Sequence, residues 1–251
     1  MKIYNKLPAI TLAFWVMKIC ATTLGETAGD LLSMTLNVGY ALSSIILLSV
    51  FLITLIIQLS VKKYHPVIYW AVILSTSTAG TTMSDYMDRT LGLGYALGSC
   101  ILIVLLLTTL FIWFQSEKSL SVTEIRTKKG ELFYWTAILF SNTLGTALGD
   151  FLADDSGLGF AGGAILIGTL LIIIIACYYF SKISHVVLFW AAFVLTRPFG
   201  ATFGDLLTKT KDQGGLNFGT RGASITLGAI LILLILNAQL KLKKEAKFEQ
   251  Y

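Results

Sequence analysis

Tryptophans at Trp15, Trp70, Trp135 and Trp190 are each followed, at the same two offsets, by the same two residues. Ten positions on come Gly25, Gly80, Gly145 and Gly200, and fifteen positions on come Asp30, Asp85, Asp150 and Asp205. The stretches that end in these acids read LGETAGD, AGTTMSD, LGTALGD and FGATFGD. Only 5 tryptophans occur in 251 residues, so four agreements at fixed offsets exclude coincidence and make the chain a tandem array of one unit. The period is 55, 65 and 55 residues, which puts one longer joint between two pairs of repeats.

The unit is built for lipid. Hydrophobic residues make up 55% of the chain and charged ones 13%, where a water-soluble globule carries about a quarter. Each repeat holds two apolar stretches close to the roughly 20 residues that cross a bilayer core. The first run over about 7–33, 66–88, 131–153 and 186–208, and the second over about 38–61, 93–116, 158–181 and 216–239. The expected fold is an all-α membrane protein of eight transmembrane helices. It divides into repeats 1–63, 64–117, 131–182 and 183–240, a linker 118–130 and a basic tail 241–251. An even number of spans per repeat makes the four helical hairpins parallel. They are then related by a pseudo-fourfold or nested pseudo-twofold axis along the membrane normal.

Charge sets the expected orientation. Lys2, Lys6, Lys62, Lys63, His65, Lys118, Arg126, Lys128, Lys129, Lys182, His185, Lys241, Lys243, Lys244 and Lys247 fall at the termini and between repeats, while the turn inside repeat two has only Arg89. Repeat four departs from this with Lys209 and Lys211 in a loop about five residues longer. Positive-inside places both termini in the cytoplasm. The net charge of +5 is then topology signal, and no nucleic-acid partner is expected. The partners are the lipid bilayer and a small cation, and the oligomeric state is open. Cys20, Cys100 and Cys177 have no metal or redox spacing. With 2 histidines, no nucleophile–base set and no phosphate loop, an enzyme is not expected.

The chemistry lies in the motif. Gly25/Gly29, Gly80/Ser84, Gly145/Gly149 and Gly200/Gly204 are small-xxx-small pairs that let helices approach closely in lipid. Gly39/Ser43, Gly94/Gly98, Gly159/Gly163 and Gly219/Ala223 read the same way. An ionisable residue inside a membrane is a functional candidate by default, and here Asp30, Asp85, Asp150 and Asp205 recur at the outer end of their helices. Glu26 lies one turn before Asp30, which makes a carboxylate pair in repeat one. Hydroxyls and an amide (Thr23, Thr78, Asn142, Thr143) accompany the acids as a polar pathway together with Arg197. An all-oxygen set suits a hard cation such as Mg²⁺, Ca²⁺ or Mn²⁺, or Na⁺ or H⁺. Serine and threonine bonding back to their own helices is the competing explanation. Arg197 needs a partner in lipid, with Glu26 or Asp30 expected because a closed ring brings repeats one and four together. Lys18 is expected to snorkel toward the cytoplasm, and the four tryptophans to anchor at the interface or pack in the core.

The pattern Trp15–Gly25–Asp30, Trp70–Gly80–Asp85, Trp135–Gly145–Asp150 and Trp190–Gly200–Asp205, with two helices per repeat, resembles a bacterial family of integral membrane proteins. That family is defined by a repeat of unknown function and is sometimes labelled "membrane-anchored protein". The resemblance covers essentially the whole chain and implies eight spans without naming a substrate. The leading expectation is a transporter or exporter of a small cation, most simply a divalent metal such as manganese or magnesium, with Glu26, Asp30, Asp85, Asp150 and Asp205 as ligands. No other cofactor is expected. The alternatives are a non-transporting membrane scaffold or partner subunit, and a small-solute carrier whose aspartates are structural.

Overall fold

A computed structural model describes residues 6–125 and 127–248. Lys2, Arg126 and the side chain of Lys247, counted in the charge pattern above, lie outside the described residues. The described residues form eight α-helices and no strand: α1 (Leu12–Asp30), α2 (Tyr40–Ser60), α3 (Pro66–Asp85), α4 (Tyr95–Glu117), α5 (Lys128–Asp150), α6 (Gly159–Phe180), α7 (His185–Thr208) and α8 (Thr220–Phe248). Five of them, α2, α4, α6, α7 and α8, are long and apolar enough to cross a membrane. In α1, α3 and α5 the dense set of threonines, serines and acids lowers the hydropathy.

Helices α1, α3, α5 and α7 form a closed inner ring in which each packs against two others. The outer helices do not pair with their own repeat. Helix α2 lies on α3, α4 on α5, α6 on α7, and α8 returns to α1. Each repeat thus lends its second helix to the next repeat's first. The outward faces carry exposed Ile45, Ile53 and Ile56 on α2, Val104 and Phe111 on α4, Ile165 and Ile172 on α6, and Ile225 and Leu233 on α8. An apolar belt of this extent is incompatible with water and suits a lipid bilayer.

The turns explain how the outer helices swing away. The motif aspartates of repeats one to three are followed at once by five-residue π-helical segments, Leu31–Thr35, Tyr86–Thr90 and Phe151–Asp155. Two left-handed residues then lead into the outer helix: Asn37 and Gly39, Gly92 and Gly94, Gly157 and Gly159, and, after the longer loop, Asn217 and Gly219. A Cβ at Gly39, Gly94, Gly159 or Gly219 would meet no atom within 4 Å. These glycines thus serve backbone conformation, which corrects their reading as close-packing contacts. The buried contacts of the outer helices fall at Ser43, Gly98, Gly163 and Ala223 instead.

Inside the ring, residues four apart on each inner helix stack into layers, one turn or about 6 Å per step. The first is aromatic: Phe14, Tyr69, Tyr134 and Phe189. Then come Lys18, Ile73, Ile138 and Phe193, followed by Thr22, Ser77, Asn142 and Arg197. Above these lie Glu26, Thr81, Thr146 and Ala201, and finally the four motif aspartates. Nearly all these residues are essentially inaccessible, from Ile73 and Arg197 at 0% to Phe189 at 8%. The ring axis is therefore filled with side chains from its aromatic floor to its acidic end.

Candidate functional site

The motif glycines set the spacing of the ring. A Cβ on Gly25 would strike Ser77, on Gly80 the backbone of Asn142 and Thr143, on Gly145 the side chain of Arg197, and on Gly200 Thr22, each closer than 3.0 Å. Every motif glycine thus sits where its helix crosses the polar layer of the next. The close approach in turn brings that layer within hydrogen-bonding reach of its neighbours.

Arg197 is the hub of this layer. Its Nη1 donates to Glu26 Oε2 at 2.9 Å, and its Nη2 donates to Thr81 Oγ1 at 2.5 Å and Thr146 Oγ1 at 2.7 Å. It also reaches the carbonyls of Thr22 and Ser77 at 3.5 and 3.4 Å. Thr81 and Thr146 donate in turn to Glu26 Oε2, both at 3.3 Å. One guanidinium thereby ties α7 to α1, α3 and α5, and its carboxylate partner is Glu26. Helix α7 continues through Pro198.

Lys18 does not snorkel. It is 0% exposed, with Nζ donating to Asn142 Oδ1 at 3.4 Å and lying 3.9 Å from the Phe193 ring centroid. The ring it enters is closed below by aromatic packing, so the stem has no route to solvent. Asn142 Nδ2 donates to Thr76 Oγ1 at 2.9 Å. Of the expected polar pathway, Asn142 and Arg197 face the axis. Thr23, Thr78 and Thr143 lie one residue further on and donate to their own helix carbonyls, at Ile19, Leu74 and Leu139.

At the acidic end the four aspartates are joined in two pairs by two cations. Arg89 contacts Asp85 through Nε at 3.1 Å and Asp150 through Nη2 at 2.9 Å. Lys209 contacts Asp30 at 3.0 Å and Asp205 at 3.1 Å. The aspartate side chains are at most 5% exposed. Burial works against the charge on both cations, but Asp85 and Asp150 hold the Arg89 guanidinium charged, and Asp205 and Asp30 do the same for the Lys209 ammonium. Glu26, Asp30 and Asp205 each offer an oxygen within 4.8 Å of the others, a spacing that one cation can bridge.

Arg89 and Lys209 read as turn charges in the sequence, yet a signal was present. Each lies four residues after its motif aspartate, where repeats one and three have Met34 and Asp154. At the opposite end, Tyr69 and Tyr134 share a hydroxyl hydrogen bond of 2.7 Å, and the Phe14 and Phe189 rings lie 6.4 Å apart. Trp70, Trp135 and Trp190 are buried, which selects core packing over interfacial anchoring for these three. Below them Lys6 pairs with buried Glu131 at 2.7 Å, and Gln58 donates to the same carboxylate.

Comparison with known proteins bears on the repeats. The model of a family described as Repeat of Unknown Function (DUF347) matches residues 13–64, 68–119, 133–184 and 188–244. No curated protein matches the chain, and no solved structure does.

Proposed function

The chain belongs to the DUF347 repeat family, and on that premise we propose an eight-span membrane protein that binds and moves a small hard cation, with divalent metals such as manganese or magnesium as the substrate class. All eight helices cross the bilayer in this reading, and the inner four surround a pseudo-fourfold axis along the membrane normal. The lysine-rich termini face the cytoplasm of a bacterial inner membrane, which turns the acidic end outward.

The charge balance at that end supports the reading. Glu26, Asp30, Asp85, Asp150 and Asp205 are five carboxylates, and the cations in ion-pair contact with them among the described residues are Arg89, Arg197 and Lys209. Counted as fully ionised, the five carboxylates exceed these three cations by two charges, an excess that would cost several kcal/mol in a medium of low dielectric. One divalent cation offsets both, and carboxylate oxygens are the ligands that magnesium and manganese favour. Asn142 and Arg197, which share the layer two steps below the aspartates, are among the polar residues such an ion would meet next.

Purified protein in liposomes loaded with a divalent-cation indicator tests this. Manganese or magnesium entry is expected for the wild type and lost for Asp30→Asn and Asp205→Asn. Absence of both flux and binding for either ion overturns the proposal. A second reading, a membrane scaffold, is favoured by the filled ring axis and by the salt bridge that each aspartate already makes. Folded, inactive wild type in the same liposomes would select it.

A further inference from the structure

We propose that the two cation clasps are not equivalent: the Lys209 ammonium is a tethered stand-in for the divalent ion, seated between the ligands Asp30 and Asp205 with Glu26 beside them, whereas Arg89 is a permanent clasp on Asp85 and Asp150. This rests on the cation reading above and assigns the exchangeable site to the interface of repeats one and four.

Four observations separate the two sides. The first is restraint. Arg89 lies within a π-helical segment, with its guanidinium 5.9 Å from the Tyr40 ring and 5.6 Å from the Tyr95 ring, and it also donates to the Tyr40 hydroxyl at 3.3 Å. Lys209 is the first residue past α7, in extended conformation at φ −67° and ψ 157°, and it leads the loop that only repeat four lengthens. The second is side-chain chemistry. A guanidinium is a planar fork that fits two carboxylates and keeps its charge, while an ammonium is a compact, strongly hydrated ion on a flexible stem, closer to a metal ion in shape.

The third observation is the third ligand. Glu26, Asp30 and Asp205 each bring one carboxylate oxygen within 4.8 Å of the others. The Glu26 position in repeats two and three is Thr81 and Thr146, so the Arg89 side has no counterpart. The fourth is charge. Glu26 is already matched by Arg197. Asp30 and Asp205 with one ammonium are short by one positive charge, and with one divalent ion they balance. Lys209 therefore fits the site sterically and underfills it electrostatically. A metal ion that displaces the ammonium sends it toward solvent on its own flexible stem, while the Lys209 backbone stays held by its hydrogen bonds to Asp205 and Asn217.

Mn²⁺ binding to the detergent-purified full chain, followed by loss of the free-ion electron paramagnetic resonance signal, tests the assignment. If the site is open in about 10% of molecules, removing the competitor tightens apparent binding about tenfold. Lys209→Gln is expected to show that tightening, Arg89→Gln is not, and Asp205→Asn in the Lys209→Gln background is expected to abolish it. A second measurement needs no variant: acylation of Lys209 by a water-soluble amine reagent, read by peptide mass spectrometry, is expected to rise when Mn²⁺ is added to wild type. Unchanged affinity in folded Lys209→Gln, tightening in Arg89→Gln, or unchanged Lys209 acylation overturns the stand-in role while wild-type binding leaves the cation reading standing. Absence of Mn²⁺ binding to both wild type and folded Lys209→Gln overturns the two together.

Discussion

Replacing Arg197 by methionine tests whether the hub holds the ring. The guanidinium makes five hydrogen bonds to three other helices, one of them its ion pair with Glu26. Methionine keeps much of the stem packed against Gly145, so the loss is mainly electrostatic. Glu26 retains the hydroxyls of Thr81 and Thr146 as donors but loses its counter-charge at 3% exposure. Breaking a buried pair from one side costs about 3–5 kcal/mol. At roughly 2–4 °C per kcal/mol for a chain of this size, the unfolding midpoint falls by about 6–20 °C. Intrinsic tryptophan fluorescence is a direct reporter, because Trp70, Trp135 and Trp190 sit in the packed floor of the same ring. The double variant Glu26→Met, Arg197→Met removes both charges and should recover most of the loss, with a coupling energy of about 2 kcal/mol or more. A single variant within about 2 °C of wild type, the range of an ordinary surface change, would refute the hub.

Three further changes probe other levels of the fold. Gly80→Ala drives a methyl into the backbone of Asn142 and Thr143, so a loss of about 1–3 kcal/mol is expected in the same fluorescence assay. Gly39→Ala meets no atom, yet it forces φ +80° and ψ 158° on an alanine; a loss of about 1–3 kcal/mol, with the inner ring unaffected by cross-linking, is expected. Tyr69→Phe leaves the buried Tyr134 hydroxyl without its 2.7 Å partner, and a cost of about 1–3 kcal/mol is expected, whereas the double phenylalanine variant should cost less than twice the single one.

The repeat made much of this architecture legible in the chain itself. Tryptophan, glycine and aspartate at fixed offsets gave four units, the close helix crossings at the motif glycines and the burial of the acids. The pairing of Arg197 with Glu26 followed from two facts, that an arginine amid apolar residues needs a carboxylate and that a closed ring makes repeats one and four neighbours. Other features were hidden for identifiable reasons. Periodicity cannot say which helix an apolar stretch lies on, so the handover of each outer helix to the next repeat was invisible. Glycine at a four-residue spacing has two uses, close packing and left-handed backbone, and Gly39, Gly94, Gly159 and Gly219 take the second. The recurring pairs Asn37 with Gly39 and Asn217 with Gly219 carried that information. Arg89 and Lys209 were masked by topology, because a cation beyond a helix end looks like loop charge until the acid one turn earlier is considered as its partner. Lys18 broke the snorkelling rule because it lies on the face of its helix that is buried in the ring, where it is 0% exposed and its stem has no surface to climb.

The overlapped order of the outer helices has a consequence for biosynthesis. As the chain emerges, α3, α5 and α7 each receive a cover that was made just before them, but α1 is covered by α8, which is made long after it. The flank of α1 that α8 will occupy stays bare through translation of all the intervening spans. A chain cut short before Thr220 would expose that flank permanently, marking an unfinished molecule at α1.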